Sequence, residues 1–412
     1  MSNRFTHNQL IDRLANLAVR VGVNVQPGQQ LVMTASTRAM PLARAITQHA
    51  YEAGASLVTT LFTDEACTLS RYTHGADNSF DHAPAWLFEG MAKAFEGGAA
   101  RLAISGDNPG LLAGQDSNRV SRADRARAIA YKPAGQQISD FKINWNIVAS
   151  ATPGWAAQIF PGLPPQQAMR KLWKAIFAAS RVDVADPVAA WNAHNATLHA
   201  RSSRLNEKRY ASLRFMGPGT DLTVGLADDH LWAGGAEPAK NGVICNPNIP
   251  TEEVFTTPHL GRVNGWVSST KPLSVMGTVV QGIRVRFENG RAVEVHAESG
   301  EDVLRRLVST DEGAARLGEV ALVPHSSPIS QSGLLFFNTL FDENAACHIA
   351  FGQAYSTCVK DGGSLTKDEL TARGANSSNI HVDWMIGSGQ VDVDGITADG
   401  VAEPIMRQGE FV

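Results

Sequence analysis

His381-Val-Asp383, followed at once by Trp384, is the segment that folding alone explains least. On a strand, residues i and i+2 project to one face, so this imidazole and carboxylate converge and offer a divalent cation two ligands. The same pair also reads as a His–Asp hydrogen bond on a solvated face, so a metal reading needs more ligands. Glu319 is one candidate, the single acid in the apolar run Gly318-Glu-Val-Ala-Leu-Val-Pro324. A carboxylate beside a buried strand is costly unless paired or bound to a cation, whereas exposure at the strand end would remove the cost. His348 and Tyr355 stand seven apart. They share a face if the segment is helical and oppose each other if it is a strand. Glu252 and Glu253 lie between Pro250 and Pro258, in a loop whose rigid backbone could aim a carboxylate or leave both acids merely solvated.

The common alternatives fail on spacing. Gly106-Asp-Asn-Pro-Gly110-Leu-Leu-Ala-Gly114 follows a strand pattern, but its glycines are not those of a dinucleotide turn, and Pro109 removes an amide that a phosphate would use. It reads as a turn followed by a short helix. There is no Walker lysine, no Gly-x-Ser-x-Gly elbow and no His-Glu-x-x-His helix.

The elements that must position these residues fall into two styles. A helix carrying Leu10, Leu14, Leu17 and Val21 leads through Pro27-Gly28 to a strand at Leu31-Val32-Met33. A helix from Met40 to Glu52 stops at Gly54, and Leu57 to Phe62 reads as a second buried strand. Strands at 102–105 and 145–149 complete a doubly wound α/β domain with a largely parallel sheet. Helices at 166–179 and about 187–206 follow, reading as a linker. Beyond Tyr210 the chain becomes β-rich, with strands at 213–216, 222–226, 277–287 and 292–296 and a hairpin signal at Asn289-Gly290. The expected division is an N-terminal domain over 1–200 and a β-rich α+β catalytic domain over 201–412.

Composition agrees with folded domains. With 43% hydrophobic and 18% charged residues over 412 positions, the chain can bury about two cores. A net charge of −4 with dispersed Lys and Arg gives no field for nucleic acid. The start lacks the apolar core of a signal peptide and no run is long enough to span a bilayer, so a cytoplasmic location without a membrane partner is expected. Cys67, Cys245, Cys347 and Cys358 lack metal-knuckle spacing and read as reduced, mostly buried thiols.

Several blocks, in order, resemble the thermophilic-type metallo-aminopeptidase family, which includes aminopeptidases T, S and II. They are Pro250-Thr-Glu-Glu-Val-Phe-Thr-Thr-Pro258, Gly318-Glu-Val-Ala-Leu-Val323, Asn338-Thr-Leu-Phe-Asp-Glu-Asn-Ala-Ala-Cys-His348, Ala350-Phe-Gly-Gln-Ala-Tyr355 and His381-Val-Asp383. Val25-Gln-Pro-Gly-Gln29 and Ala50-Tyr-Glu-Ala-Gly-Ala55 are similar too. The resemblance implies that Glu253, Glu319, His348, Tyr355, His381 and Asp383 hold two divalent ions, zinc or cobalt by donor type, with manganese or magnesium also admitted. It implies an aminopeptidase in which a metal-bridging hydroxide attacks the first peptide bond of short peptides, and a homodimer enclosing the cavity. Tyr355 reads either as a ligand or as a donor to the oxyanion, and Glu252 and Glu343 are the candidate general bases. The rival readings are a ligand- or nucleotide-binding α/β protein with a structural metal, and a metal-dependent hydrolase of another amide.

Overall fold

The computed structural model describes residues 5–275 and 278–412. Contacts divide the chain into two compact units, one of residues 1–193 with 236–250 and the other of residues 194–235 with 251–412. Among the described residues, no helix is long and apolar enough to cross a membrane.

The first unit alternates His7–Leu17 (α1), Gln30–Ser36 (β1), Met40–Glu52 (α2), Leu57–Thr63 (β2), Glu65–His74 (α3), Ala85–Glu96 (α4), Ala100–Ser105 (β3), Ser117–Ser139 (α5) and Trp145–Ala149 (β4). The helices Pro153–Ile159 (α6) and Pro165–Ala179 (α7) follow. All four strands are parallel, in the order β2-β1-β3-β4. Having placed β2 on one side of β1, the chain returns to place β3 on the other, the reversal that winds crossover helices onto both faces. Two sequence expectations need correction. Strand β2 is not buried: it forms the sheet edge, with Leu57 47% and Phe62 43% exposed, because only one neighbour covers it. The helix after Gly106–Gly114 is not short but runs 23 residues through Pro133, capped by Asp116, whose carboxylate accepts from the amides of Asn118 and Arg119. The capping acid sets its start, and packing against α4 outweighs the proline.

Helix α8 (Pro187–Lys208) leads to the antiparallel strands of the second unit, Ser212–Gly217 (β5) and Thr220–Leu226 (β6). After the two-residue strands Glu237–Pro238 (β7) and Ile244–Cys245 (β8) come Val254–Thr256 (β9) and Pro258–Ser268 (β10). Next are the short pair Leu273–Val275 (β11) and Thr278–Val280 (β12), then Arg284–Glu288 (β13) and Arg291–His296 (β14). The strand expected over 277–287 is therefore two strands with Gln281-Gly282-Ile283 between them, and its first residue, Gly277, lies outside the described residues. The β13–β14 turn is Asn289-Gly290, both at positive φ, as a tight hairpin turn requires. Leu317–Leu322 (β15), His348–Gly352 (β16), His381–Met385 (β17), Asp392–Ile396 (β18), Ala402–Arg407 (β19) and Glu410–Phe411 (β20) complete the unit.

Twelve of these strands form an eight-stranded sheet, β14-β13-β10-β6-β5-β18-β19-β20, and a four-stranded sheet, β17-β16-β15-β9; β11 pairs with β12, and β7 with β8 within the first unit. The smaller sheet has two unlike faces. Val320, Leu322, Ile349, Phe351 and Trp384 turn into the core of this unit, where Phe351 stacks on Trp384 at 5.6 Å and lies 6.1 Å from Phe287 of the large sheet. Truncating a buried aromatic of this kind costs about 3–5 kcal/mol, so the sheet is firmly held from behind. Its opposite face carries Glu319, Ala321, His348, Ala350, His381 and Asp383.

Strict alternation would put Leu317 and Glu319 on the same face, yet Leu317 is in the core. The register resolves this: Leu317 pairs with Phe351 and Glu319 with Ala350, leaving Gly318 as an extra residue in a β-bulge. A Cβ on Gly318 would stand 2.2 Å from the carbonyl oxygen of Gln353, a backbone atom that cannot rotate away. Gly318→Ala is therefore expected to destabilise the protein by about 1–3 kcal/mol in urea unfolding, the usual range for overpacking. An unchanged midpoint would show that the bulge tolerates a side chain.

Candidate metal centre

The bulge aims Glu319 into a row across the small sheet, Glu319–Ala350–Asp383, while His348 and His381 flank that row on the same face of their own strands. Ala350 and Ala321 project between the functional groups and keep the space between them open. Glu253 enters from the residue immediately before β9, which pairs with β15 on the far side. Glu253, Glu319 and His348 are buried, and His381 and Asp383 are partly so.

Two groups of ligand atoms share Glu319: Glu253, Glu319 and His348 in one, and Glu319, His381 and Asp383 in the other, with the atoms of each within 4.8 Å of one another. Glu319 divides its oxygens between them. Its Oε1 lies 3.6 Å from His348 Nε2, and its Oε2 lies 3.3 Å from His381 Nε2. His348 Nε2 is also 3.1 Å from Glu253 Oε2, and His381 Nε2 is 3.3 Å from Asp383 Oδ1.

Both imidazoles are held from behind. Nδ1 of His348 donates to the Ala346 carbonyl at 3.2 Å and Nδ1 of His381 to the Gln353 carbonyl at 2.7 Å, which turns each Nε2 towards the carboxylates. Sequence gave no signal for these partners, since the accepting groups are backbone carbonyls.

A cation fits this arrangement on the structure's own geometry. Glu253 Oε2, His348 Nε2 and Asp383 Oδ1 are buried without a hydrogen-bond partner among the described residues, despite the short approaches just given. They converge on shared space more than on each other. Donors bonded at about 2.1 Å to one ion stand roughly 3–3.4 Å apart, close to the separations seen here.

The electrostatics give the same result. Burial opposes ionisation of Glu319, but the neighbouring imidazoles of His348 and His381 outweigh it and hold this carboxyl at about 2. Burial likewise disfavours a charged His381, yet Asp383 and Glu319 carry its pKa up to about 11, and Glu253 and Glu319 lift His348 well above the usual imidazole range. Burial raises Glu253, with the charges of Glu319 and Asp383 adding to the effect. The cluster thus demands positive charge, from protons on the imidazoles or from cations that replace them.

The remaining sequence candidates separate clearly. The helical reading of His348 and Tyr355 is corrected: His348 opens strand β16, and Tyr355 lies beyond the strand at the start of a short turn. The chain bends after Gly352 (φ 102), and this still brings the Tyr355 ring to 4.8 Å from the His381 ring. Tyr355 is 45% exposed overall, yet desolvation where its phenol meets the cluster, together with the charges of Glu319 and Asp383, raises its pKa well above the usual value. Glu343 lies in the short turn Glu343–Ala345 that contacts β17, and burial together with Glu253 and Asp383 pushes its carboxyl well up. Glu252 points elsewhere. Its carboxylate is 3.7 Å from His194 on α8 and feels Arg201 one helical face along, while its amide donates to Asn344 Oδ1 at 2.7 Å.

Comparison with known proteins finds relatives along nearly the whole chain. The model of the thermophilic metalloprotease (M29) family matches residues 7–411. Aminopeptidase T of Thermus aquaticus is 55% identical over 408 residues, covering 99% of each chain. The structure of wild-type AmpT from Thermus thermophilus superposes with a TM-score of 0.94 at 52% identity, covering 99% of this chain and 100% of that one. A 2,5-dihydroxypyridine dioxygenase from Pseudomonas putida KT2440 shares the fold, with a TM-score of 0.54 at 11% identity over 99% of this chain and 98% of its own. With a family match over nearly its whole length, the chain belongs to the thermophilic metalloprotease (M29) family.

Proposed function

We propose that this metallo-aminopeptidase binds two divalent cations, one at Glu253, Glu319 and His348 and the other at Glu319, His381 and Asp383, and releases N-terminal residues from short peptides. The observation that carries this reading is the division of the two Glu319 oxygens between two imidazole–carboxylate groups. The donor set contains no thiolate and suits zinc or cobalt, with manganese or magnesium also accommodated. When bound, such cations supply a hydroxide near neutral pH and polarise the scissile carbonyl.

The chain's own residues do the rest. Glu319 holds the two centres in register, and Ala346 and Gln353 keep the imidazoles turned inwards through their carbonyls. Glu343 acts as general base and returns the proton to the leaving amine, being the carboxyl beside Glu253 and Asp383 that lies outside both ligand groups. Glu252 faces His194 and positions the loop. Tyr355, kept as a neutral phenol beside His381, donates to the oxyanion that forms at the attacked carbonyl. On family likeness the reading extends to a cytoplasmic homodimer.

Glu319→Gln removes the shared charge, so turnover is expected to fall at least about 100-fold with the far-ultraviolet circular dichroism unchanged. Near-wild-type activity would take Glu319 out of the centre. Elemental analysis of His381→Ala should find one ion fewer per chain than in the parent protein, and equal metal content would exclude the second group as a binding site. Metal-replete enzyme should cleave a dipeptide with a free amine and leave its N-acetylated form intact. Equal cleavage of both would indicate a hydrolase of other amides.

A further inference from the structure

Tyr355 must be aimed at the cluster through its ring. The charges of Glu319, Asp383, Glu343 and Glu253 all bear on the phenol, yet among the described residues nothing hydrogen-bonds its hydroxyl. Where that oxygen stands therefore depends on the side-chain rotamer, one of a few staggered choices among which neighbouring groups select. Two rings flank it. The His381 ring lies 4.8 Å away, and Phe255 meets Tyr355 edge to face, with ring centroids 6.0 Å apart and planes at 67°. His381 stands on β17 and Phe255 on β9, the two edge strands of the small sheet, so the phenol links opposite borders of the ligand face.

The position of Phe255 is itself closely determined. Its register partner on β15 is Ala321, which in turn pairs with His348 on β16. Phe255 therefore projects from the ligand face, two residues after Glu253, whose carboxylate approaches the same His348. It remains partly exposed there and takes no part in the apolar core behind the sheet. Its backbone is fixed on both sides, by β15 and by reciprocal 3.0 Å hydrogen bonds with Ala233. Two residues further on, the Thr257 hydroxyl donates to the Tyr355 carbonyl at 3.2 Å, which also accepts from the Cys358 amide at 3.1 Å. The stretch Glu253–Thr257 thus delivers a proposed ligand and grips Tyr355 by both its ring and its main chain.

Resting on the reading of Tyr355 as the oxyanion donor, we infer that Phe255 is a positioning residue for the reaction. Its ring holds the Tyr355 hydroxyl over the cluster without touching the substrate, so the donor is in place before the oxyanion forms. The attraction within an edge-to-face pair, beyond the area it buries, corresponds to a rotamer preference of up to roughly tenfold.

The test follows cleavage of a free-amine dipeptide by metal-loaded full-length enzyme, comparing the parent with Phe255→Leu, Phe255→Tyr, Tyr355→Phe and the Phe255→Leu/Tyr355→Phe double variant. Leucine keeps an apolar group on the strand, and unchanged far-ultraviolet circular dichroism confirms the fold. Phe255→Leu should lower kcat about tenfold with KM and metal content unchanged, whereas Phe255→Tyr, which keeps the ring, should stay within about threefold of the parent. In Tyr355→Phe there is no hydroxyl left to aim, so adding Phe255→Leu should cost no further activity. The same loss in that background, a loss carried by KM, or a missing ion in Phe255→Leu would overturn the inference. Parent-like turnover by Tyr355→Phe would instead overturn the oxyanion reading on which it rests.

Discussion

The sharing of one carboxylate between two imidazoles governs the rest of the second unit. Glu319 is 4% exposed and sits mid-sheet with Glu253 and Asp383 close by, where an uncompensated acid would cost several kcal/mol. Its oxygens can serve two centres only if His348 and His381 approach from one side, on strands in fixed register. That register requires a sheet whose other face is wholly apolar, so that packing against Phe287 and its neighbours holds the backbone whatever the charged face does. It also requires small residues between the ligands, which Ala350 and Ala321 supply.

Glycine at 318 follows from the same constraint. The unit needs Leu317 in the core and Glu319 in the site, two demands that a regular strand cannot meet together. An inserted residue reverses the phase, and only glycine fits against the Gln353 carbonyl. That carbonyl also accepts from His381 Nδ1, so the same atom limits the bulge and orients the second imidazole. The two halves of the cluster are thereby coupled through the backbone as well as through Glu319.

Much of this was legible in the sequence, for identifiable reasons. Period-two spacing placed His381 and Asp383 on one face, and the lone acid in an apolar run marked Glu319. The parallel sheet followed from the alternation of helix and strand patterns. Strand burial was not legible for β2, because edge position depends on strand order and not on the hydrophobicity of Leu57–Thr63. The proximity of Tyr355 to His381 could not be read from their spacing either, since it arises from the bend after a strand. The bulge was hidden for a further reason: Gly318 is recognisable as an extra residue only once the partners of Leu317 and Glu319 are known.

The adjacent acids Glu252 and Glu253 show how little separates a ligand from a support. Both are buried, in a segment where successive side chains diverge, so one must face away if the other faces the cluster. The acid facing away would carry an unfavourable buried charge unless it met a partner, and α8 provides His194 and Arg201 at i and i+7 on the side where Glu252 emerges. The Glu252 amide is held in turn by Asn344, in the same turn as Glu343. The residue that leaves the centre therefore sets the distance between a proposed ligand, Glu253, and the proposed base, Glu343. Glu252, beside a proposed ligand in sequence, contributes here through the backbone it fixes, and the proposed base comes from a turn ninety residues beyond Glu253 along the chain.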